Sequence, residues 1–189
     1  MAFRRGFKSQ CERRAVEFRR QFGVAEAGPL SADRLAAELK VLVLSANDVR
    51  GLSSDAKAVL GDEADDSWLA LTMRMGASHL VIHKPLRMSS RRNSVVMHEL
   101  SHIILGHQLA TVFILDDGSM VPGNFNQEQE DEADWLAGTL LLPRPALLSI
   151  RRRALKDYEA CSEHLVSLDM LNWRMRMTGV DHQLSRQHT

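Results

Sequence analysis

The sequence predicts an α+β domain, mostly helical, with a small antiparallel sheet and a helical C-terminal region. Two observations carry this. Apolar residues recur at helical spacing near the start and in two longer segments further on. Between them, two short β-like runs flank Gly76-Ala77 in the manner of a hairpin. With no internal repeat, low-complexity tract or linker, the expectation is one domain over residues 1–189. Its first part (1–66) holds N-terminal helices and a strand. The middle (67–143) holds a hairpin and two long helices, and residues 144–189 form the helical end.

Each element has a local reason. Cys11, Ala15, Phe18 and Phe22 form one apolar stripe that Gly23 closes, so the first helix is expected there. Its outer face carries Arg13, Arg14, Arg19 and Arg20 with Glu12 and Glu17, and reads as solvated. Ser31 caps a short helix running to Leu39. Residues 41–44, Val-Leu-Val-Leu, are β-like. The Asp-, Ser- and Gly-rich stretch 47–66 reads as a loop around one short helix near 55–60. Strands follow at 68–75 and 78–83. Ser89 or Ser90 opens a helix that runs to Leu105 and stops at Gly106. A small hairpin is expected within 111–121, then a long helix over 127–142 ended by Pro143. Ser167 caps a further helix over 168–177.

Lys plus Arg and Asp plus Glu number 24 each among 189 residues, with 44% hydrophobic and 25% charged residues. That balance excludes a strongly basic nucleic-acid binder and an acidic solvating tail, and direct nucleic-acid binding is not expected. Cys11 and Cys161 are too few for a disulfide framework. No apolar run follows the basic start as in a secretory signal, and none approaches the ~20 residues of a membrane span. A cytoplasmic location without membrane contact is expected.

The chemistry centres on His98-Glu99-Leu100-Ser101-His102, an H-E-x-x-H on a predicted helix. Histidines at i and i+4 stand about 40° apart around the axis, so both rings can share one metal ion with the Glu near its water. Val95, Val96, Leu100, Ile103 and Ile104 form the apolar stripe, and the ligands sit at its border. A catalytic zinc needs a third protein ligand. The metzincin solution would place a His where Gln108 stands; His107 comes one position early, behind the helix-stopping Gly, and is expected to project elsewhere. The remaining candidates are the acids from Glu128 to Asp134. The predicted helix there buries Ala133, Leu136, Ala137, Leu140 and Leu141, with Glu130 and Asp134 at the edge of that stripe. Glu130 is therefore the expected ligand and Glu132 the alternative. Asp134 is placed to accept the outer N–H of a ligand histidine.

These stretches resemble the ImmA/IrrE family of metallo-endopeptidases, an HExxH group of the M78 type. Residues 93–107 are close to its H-E-L-x-H helix ending in Gly-His. Residues 130–143 are similar to its E-x-x-A-[ND]-x-F-A-x-x-L-L-x-P pattern, and Val166-Ser167 with Leu171 and Arg174 to a weaker third stretch. The resemblance implies His98, His102 and Glu130 as metal ligands and Glu99 as catalytic base. Two departures are visible. Leu136 replaces the usual Phe, and the chain's only tyrosine, Tyr158, lies outside the loop between the two motif helices. The candidates left for oxyanion stabilisation are His107, His164 and Tyr158.

The expected activity is peptide-bond hydrolysis at one zinc ion, with Mn or Fe able to occupy the same ligands. The family resemblance implies a protein substrate, a helix-turn-helix repressor of a phage, mobile element or stress response. A different class of reading is a non-proteolytic interaction module with a structural, four-ligand metal, for which His107 would be the fourth donor. A third is a DNA-binding factor using the basic first helix.

Overall fold

The computed structural model describes residues 3–51, 68–109, 112–114, 120–122 and 126–186. In chain order the elements are α1 (Phe7–Gln21), α2 (Ala32–Glu38), β1 (Leu42–Ser45), β2 (Ala70–Met75), β3 (Ser78–His83), α3 (Ser89–Leu105), β4 (Val112–Ile114) and β5 (Met120–Pro122). There follow α4 (Gln127–Leu141), α5 (Arg144–Arg152), α6 (Asp157–His164), α7 (Leu168–Thr178) and α8 (Val180–Ser185). The short helix expected near 55–60 lies outside the described residues.

The hairpin pairs as its turn predicts, Ala70 opposite His83 and Met75 opposite Ser78. The sheet as a whole is mixed rather than antiparallel. β1 joins β3 in parallel, Leu42 opposite Leu80 and Ser45 opposite His83, giving the order β1-β3-β2. A parallel neighbour requires a crossover, and a pattern of local turns does not reveal one. β4 and β5 form a separate antiparallel pair.

α3 packs against β2 and β3 on one side and α4 on another, with α2 on its flank; α1 covers α4. Its buried residues include Val96, Met97 and Leu100, but also Asn93 and Ser101, two polar positions outside the predicted stripe. Both are satisfied. Asn93 accepts from the Ala32 amide at 2.7 Å and donates to the Leu165 carbonyl at 2.9 Å, while Ser101 donates to Met97 O. Asn93 thus ties the start of α2 and the end of α6 to the central helix. Val95, predicted to lie in the core, lines a cavity instead.

α4 is enclosed on nearly every side, residues 135–142 all being buried. Gly138 has a packing reason: an added Cβ would lie 2.3 Å from Cζ3 of Trp173 on α7. Three carbonyls at the C-terminal end of α4 are met by two arginines. Arg19 of α1 donates to Leu140 O at 2.8 Å and to Leu141 O at 3.4 Å; Arg174 of α7 donates to Leu142 O at 3.1 Å and to Glu12 at 2.6 Å. Cationic donors at a helix C-terminus satisfy unpaired carbonyls and oppose the negative end of the dipole. Arg19, read from the sequence as solvated, is 0% exposed. The correction has a simple cause: an arginine can be buried when its fork finds carbonyls, and periodicity carries no information about acceptors contributed by a distant helix. Among the described residues no helix is long and apolar enough to cross a membrane.

Candidate metal centre

Helix geometry places both histidines. One turn of α3 separates His98 from His102, and their rings meet edge-on with centroids 4.8 Å apart. The third group comes from α4, whose N-terminus is capped by Asn126 accepting from the amides of Glu128 and Gln129. That cap begins α4 where its first turns pass the His98 face of α3. Glu130 Oε2 then lies 3.1 Å from His98 Nε2 and 3.6 Å from His102 Nε2, and the two Nε2 atoms are 3.0 Å apart. The structure therefore brings His98, His102 and Glu130 together, as a group whose ligand atoms could hold a metal ion.

The donor set fits a small divalent cation. Ligand atoms about 2.0–2.2 Å from a tetrahedral centre stand roughly 3.3–3.6 Å apart, near the separations seen. The electrostatics agree. Burial is the largest single influence on His98 and opposes its charge. Even so, the hydrogen bonds to Asp134 and Glu130, with the charge of Glu99, push the ring up to about 10. Hydrogen bonds to His102 and then His98 hold the Glu130 carboxyl well below the usual carboxylate range. Two imidazoles and an ionised carboxylate facing one another at these distances form a donor group that could hold a cation.

The remaining expected residues divide. Asp134 Oδ1 stands 2.8 Å from Nδ1 of His98, the ring nitrogen facing away from the cluster. Glu99 receives a hydrogen bond from the Thr72 hydroxyl at 2.5 Å and lines, with His98 and Asp134, a cavity of about 650 Å³. Glu132 is not brought to the cluster. Its Oε2 lies 3.2 Å from His107 Nε2, and its other oxygen 4.0 Å from Arg4. His107 does not project away: its Nδ1 is 3.0 Å from Nδ1 of His102. Burial pushes its ring down in pKa, against the pull of Glu132. Of the three oxyanion candidates, none lines the cavity. His164 is buried elsewhere, and Tyr158 is 66% exposed beside Glu159.

Two of these contacts were missed from sequence. Thr72 had no signal, because a strand hydroxyl meets Glu99 only once the sheet docks on α3. His107 did have one. Gly106 adopts φ 68°, its amide bonds to Ile103 O and the His107 amide to His102 O. This is the Schellman arrangement, which folds the residue after the glycine back toward the helix's last turn.

The domain is α+β and mostly helical, with a His98, His102 and Glu130 donor group that could hold a metal ion. The family model described as the IrrE N-terminal-like domain of peptidase M78 matches residues 18–176, from late α1 to α7. The chain belongs to that family of metal-dependent peptidases. No curated protein matches the chain significantly.

Proposed function

We propose that this protein is a zinc-dependent endopeptidase in which His98, His102 and Glu130 hold the ion and Glu99 is the general base. The observation that carries the reading is the convergence of two imidazole Nε2 atoms and one carboxylate oxygen at 3.0–3.6 Å beside a cavity that Glu99 also lines. When bound, zinc would act as a Lewis acid, lowering the pKa of water toward ~7 and polarising the scissile carbonyl. Glu99 takes a proton from the attacking water and delivers it to the leaving amine. The Thr72 hydroxyl fixes the Glu99 carboxylate, and Asp134 accepts from Nδ1–H of His98 so that its Nε2 lone pair faces the ion. The cavity takes the substrate, its walls including Trp68, Val95, Met170 and Trp173.

Among the described residues no fourth protein donor joins the three, which supports an open coordination position over a closed structural site. The substrate class follows from the family resemblance: a helix-turn-helix repressor. The test is Glu99→Ala in the zinc-loaded protein, which should retain about one zinc per chain and lose cleavage of a repressor encoded beside it. Undiminished cleavage by that variant would remove Glu99 from the mechanism. An intact repressor after incubation with metal-replete wild type would remove the substrate.

A further inference from the structure

The outward nitrogen of His102 has a partner that the three-ligand cluster does not require. The three facing atoms, His98 Nε2, His102 Nε2 and Glu130 Oε2, must present lone pairs to hold a cation, so each neutral ring carries its proton on Nδ1. For His98 that proton points at a carboxylate, Asp134, 2.8 Å away. For His102 the facing group is another imidazole, His107 Nδ1, at 3.0 Å. Two ring nitrogens in contact need one donor and one acceptor. If His102 donates, His107 accepts at Nδ1 and carries its own proton on Nε2, where Glu132 Oε2 waits at 3.2 Å. The opposite assignment would put the His102 proton among the metal-facing atoms and turn a bare His107 nitrogen toward a carboxylate. Only the first assignment satisfies every group.

The surroundings enforce it. The His107 side chain is 6% exposed, leaving little room for water to replace either partner. Its backbone amide donates to the His102 carbonyl at 3.0 Å through the turn at Gly106, which holds the Cα of His107 beside the last turn of α3. They meet at 72° with centroids 5.0 Å apart.

We infer that His107 and Glu132 are positioning residues that lock His102 in its Nδ1–H tautomer and direct its Nε2 lone pair at the metal. They do through a relay what Asp134 does directly for His98. Carboxylates that orient ligand histidines typically control metal affinity by 10–100-fold. The inference rests on the metal reading above, and the experiment separates the two.

Zinc affinity is measured by competition with a chromophoric chelator for wild type, His107→Leu, His107→Gln and Glu132→Gln, with metal-free thermal unfolding of each as a fold control. His107→Leu should weaken zinc binding about 10–100-fold. His107→Gln should recover most of that, because an amide accepts at oxygen and donates at nitrogen as the neutral ring does. Glu132→Gln should fall between wild type and His107→Leu. Wild-type affinity in His107→Leu, or a Gln variant as weak as the Leu variant, overturns the relay while leaving the metal site standing. Failure of wild type to bind zinc overturns both. Nitrogen-15 NMR of the zinc-loaded wild type gives a reading that needs no variant: the His107 proton belongs on Nε2, and finding it on Nδ1 overturns the relay.

Discussion

At the scale of the residue, chemistry is set by which neighbour a side chain meets. Cys11 shows how far packing alone can move a group. Burial in the α1 face raises its thiol from an ordinary 9.0 to about 12, with the Arg174 charge pulling the other way. Because the folded value lies above the ordinary one, the folded state holds this proton more tightly. That contribution to stability is complete below pH 9 and is lost as pH rises toward 12. The thermal midpoint of Cys11→Ala should therefore fall less than that of wild type between pH 8.5 and 11, and iodoacetamide at pH 8 should leave Cys11 unmodified until the chain unfolds. Equal losses in the two proteins would contradict the assignment. His107 makes the complementary point: its neighbours, rather than its spacing from His98, decide what it can do.

At the scale of the element, α4 links the candidate centre to the core, since it carries Glu130, Asp134 and Glu132 on its first turns and buried residues on its last. Its far end is held by Arg19 and Arg174, which explains why an arginine belongs with Ser167 and Leu171 in one stretch. Ser167 caps α7 by accepting from the Met170 amide, Leu171 is buried, and Arg174 reaches the α4 carboxyl end. Between α4 and α7, Gly138 faces the Trp173 indole with no space for a Cβ. Gly138→Ala forces the indole to move and should destabilise the fold by about 1–3 kcal/mol in chemical denaturation. Trp173→Leu should recover part of that loss in the double variant, and strict additivity of the two would show that the contact is not shared.

At the scale of the whole molecule, the candidate centre is a clamp between α3 and α4, joining residues 98 and 102 to residue 130 across the body of the chain. A ligand that binds only the folded state stabilises it by mass action. With free zinc ~1,000-fold above its dissociation constant this amounts to about 4 kcal/mol, roughly 8–16 °C in the melting midpoint of a domain this size. Stripping zinc with a chelator should lower the wild-type midpoint by that amount and leave His98→Ala unmoved. A wild-type midpoint indifferent to the chelator would refute a clamp of this kind. The same lever predicts that substitutions at the clamp act more weakly on the metal-free chain, where side-chain hydrogen bonds join His98 and His102 to Glu130 and core packing holds the two helices together.

Much of this was legible in the linear chain, because the governing interactions are local. Helical periodicity, the caps at Ser31 and Ser167 and the stop at Gly106 act over a few residues. The i, i+4 histidines share a face whatever surrounds them. The acidic first turns of α4 narrowed the third group to a handful, and the stripe favoured Glu130 over Glu132. Tertiary structure alone decided the rest: the parallel placement of β1, the burial of Arg19 against carbonyls 121 and 122 residues away, the hydroxyl of Thr72 on Glu99, and the pairing of Glu132 with His107. Each depends on groups brought together by packing, and hydrogen bonds and charges depend on distance in space, which separation along the chain does not encode.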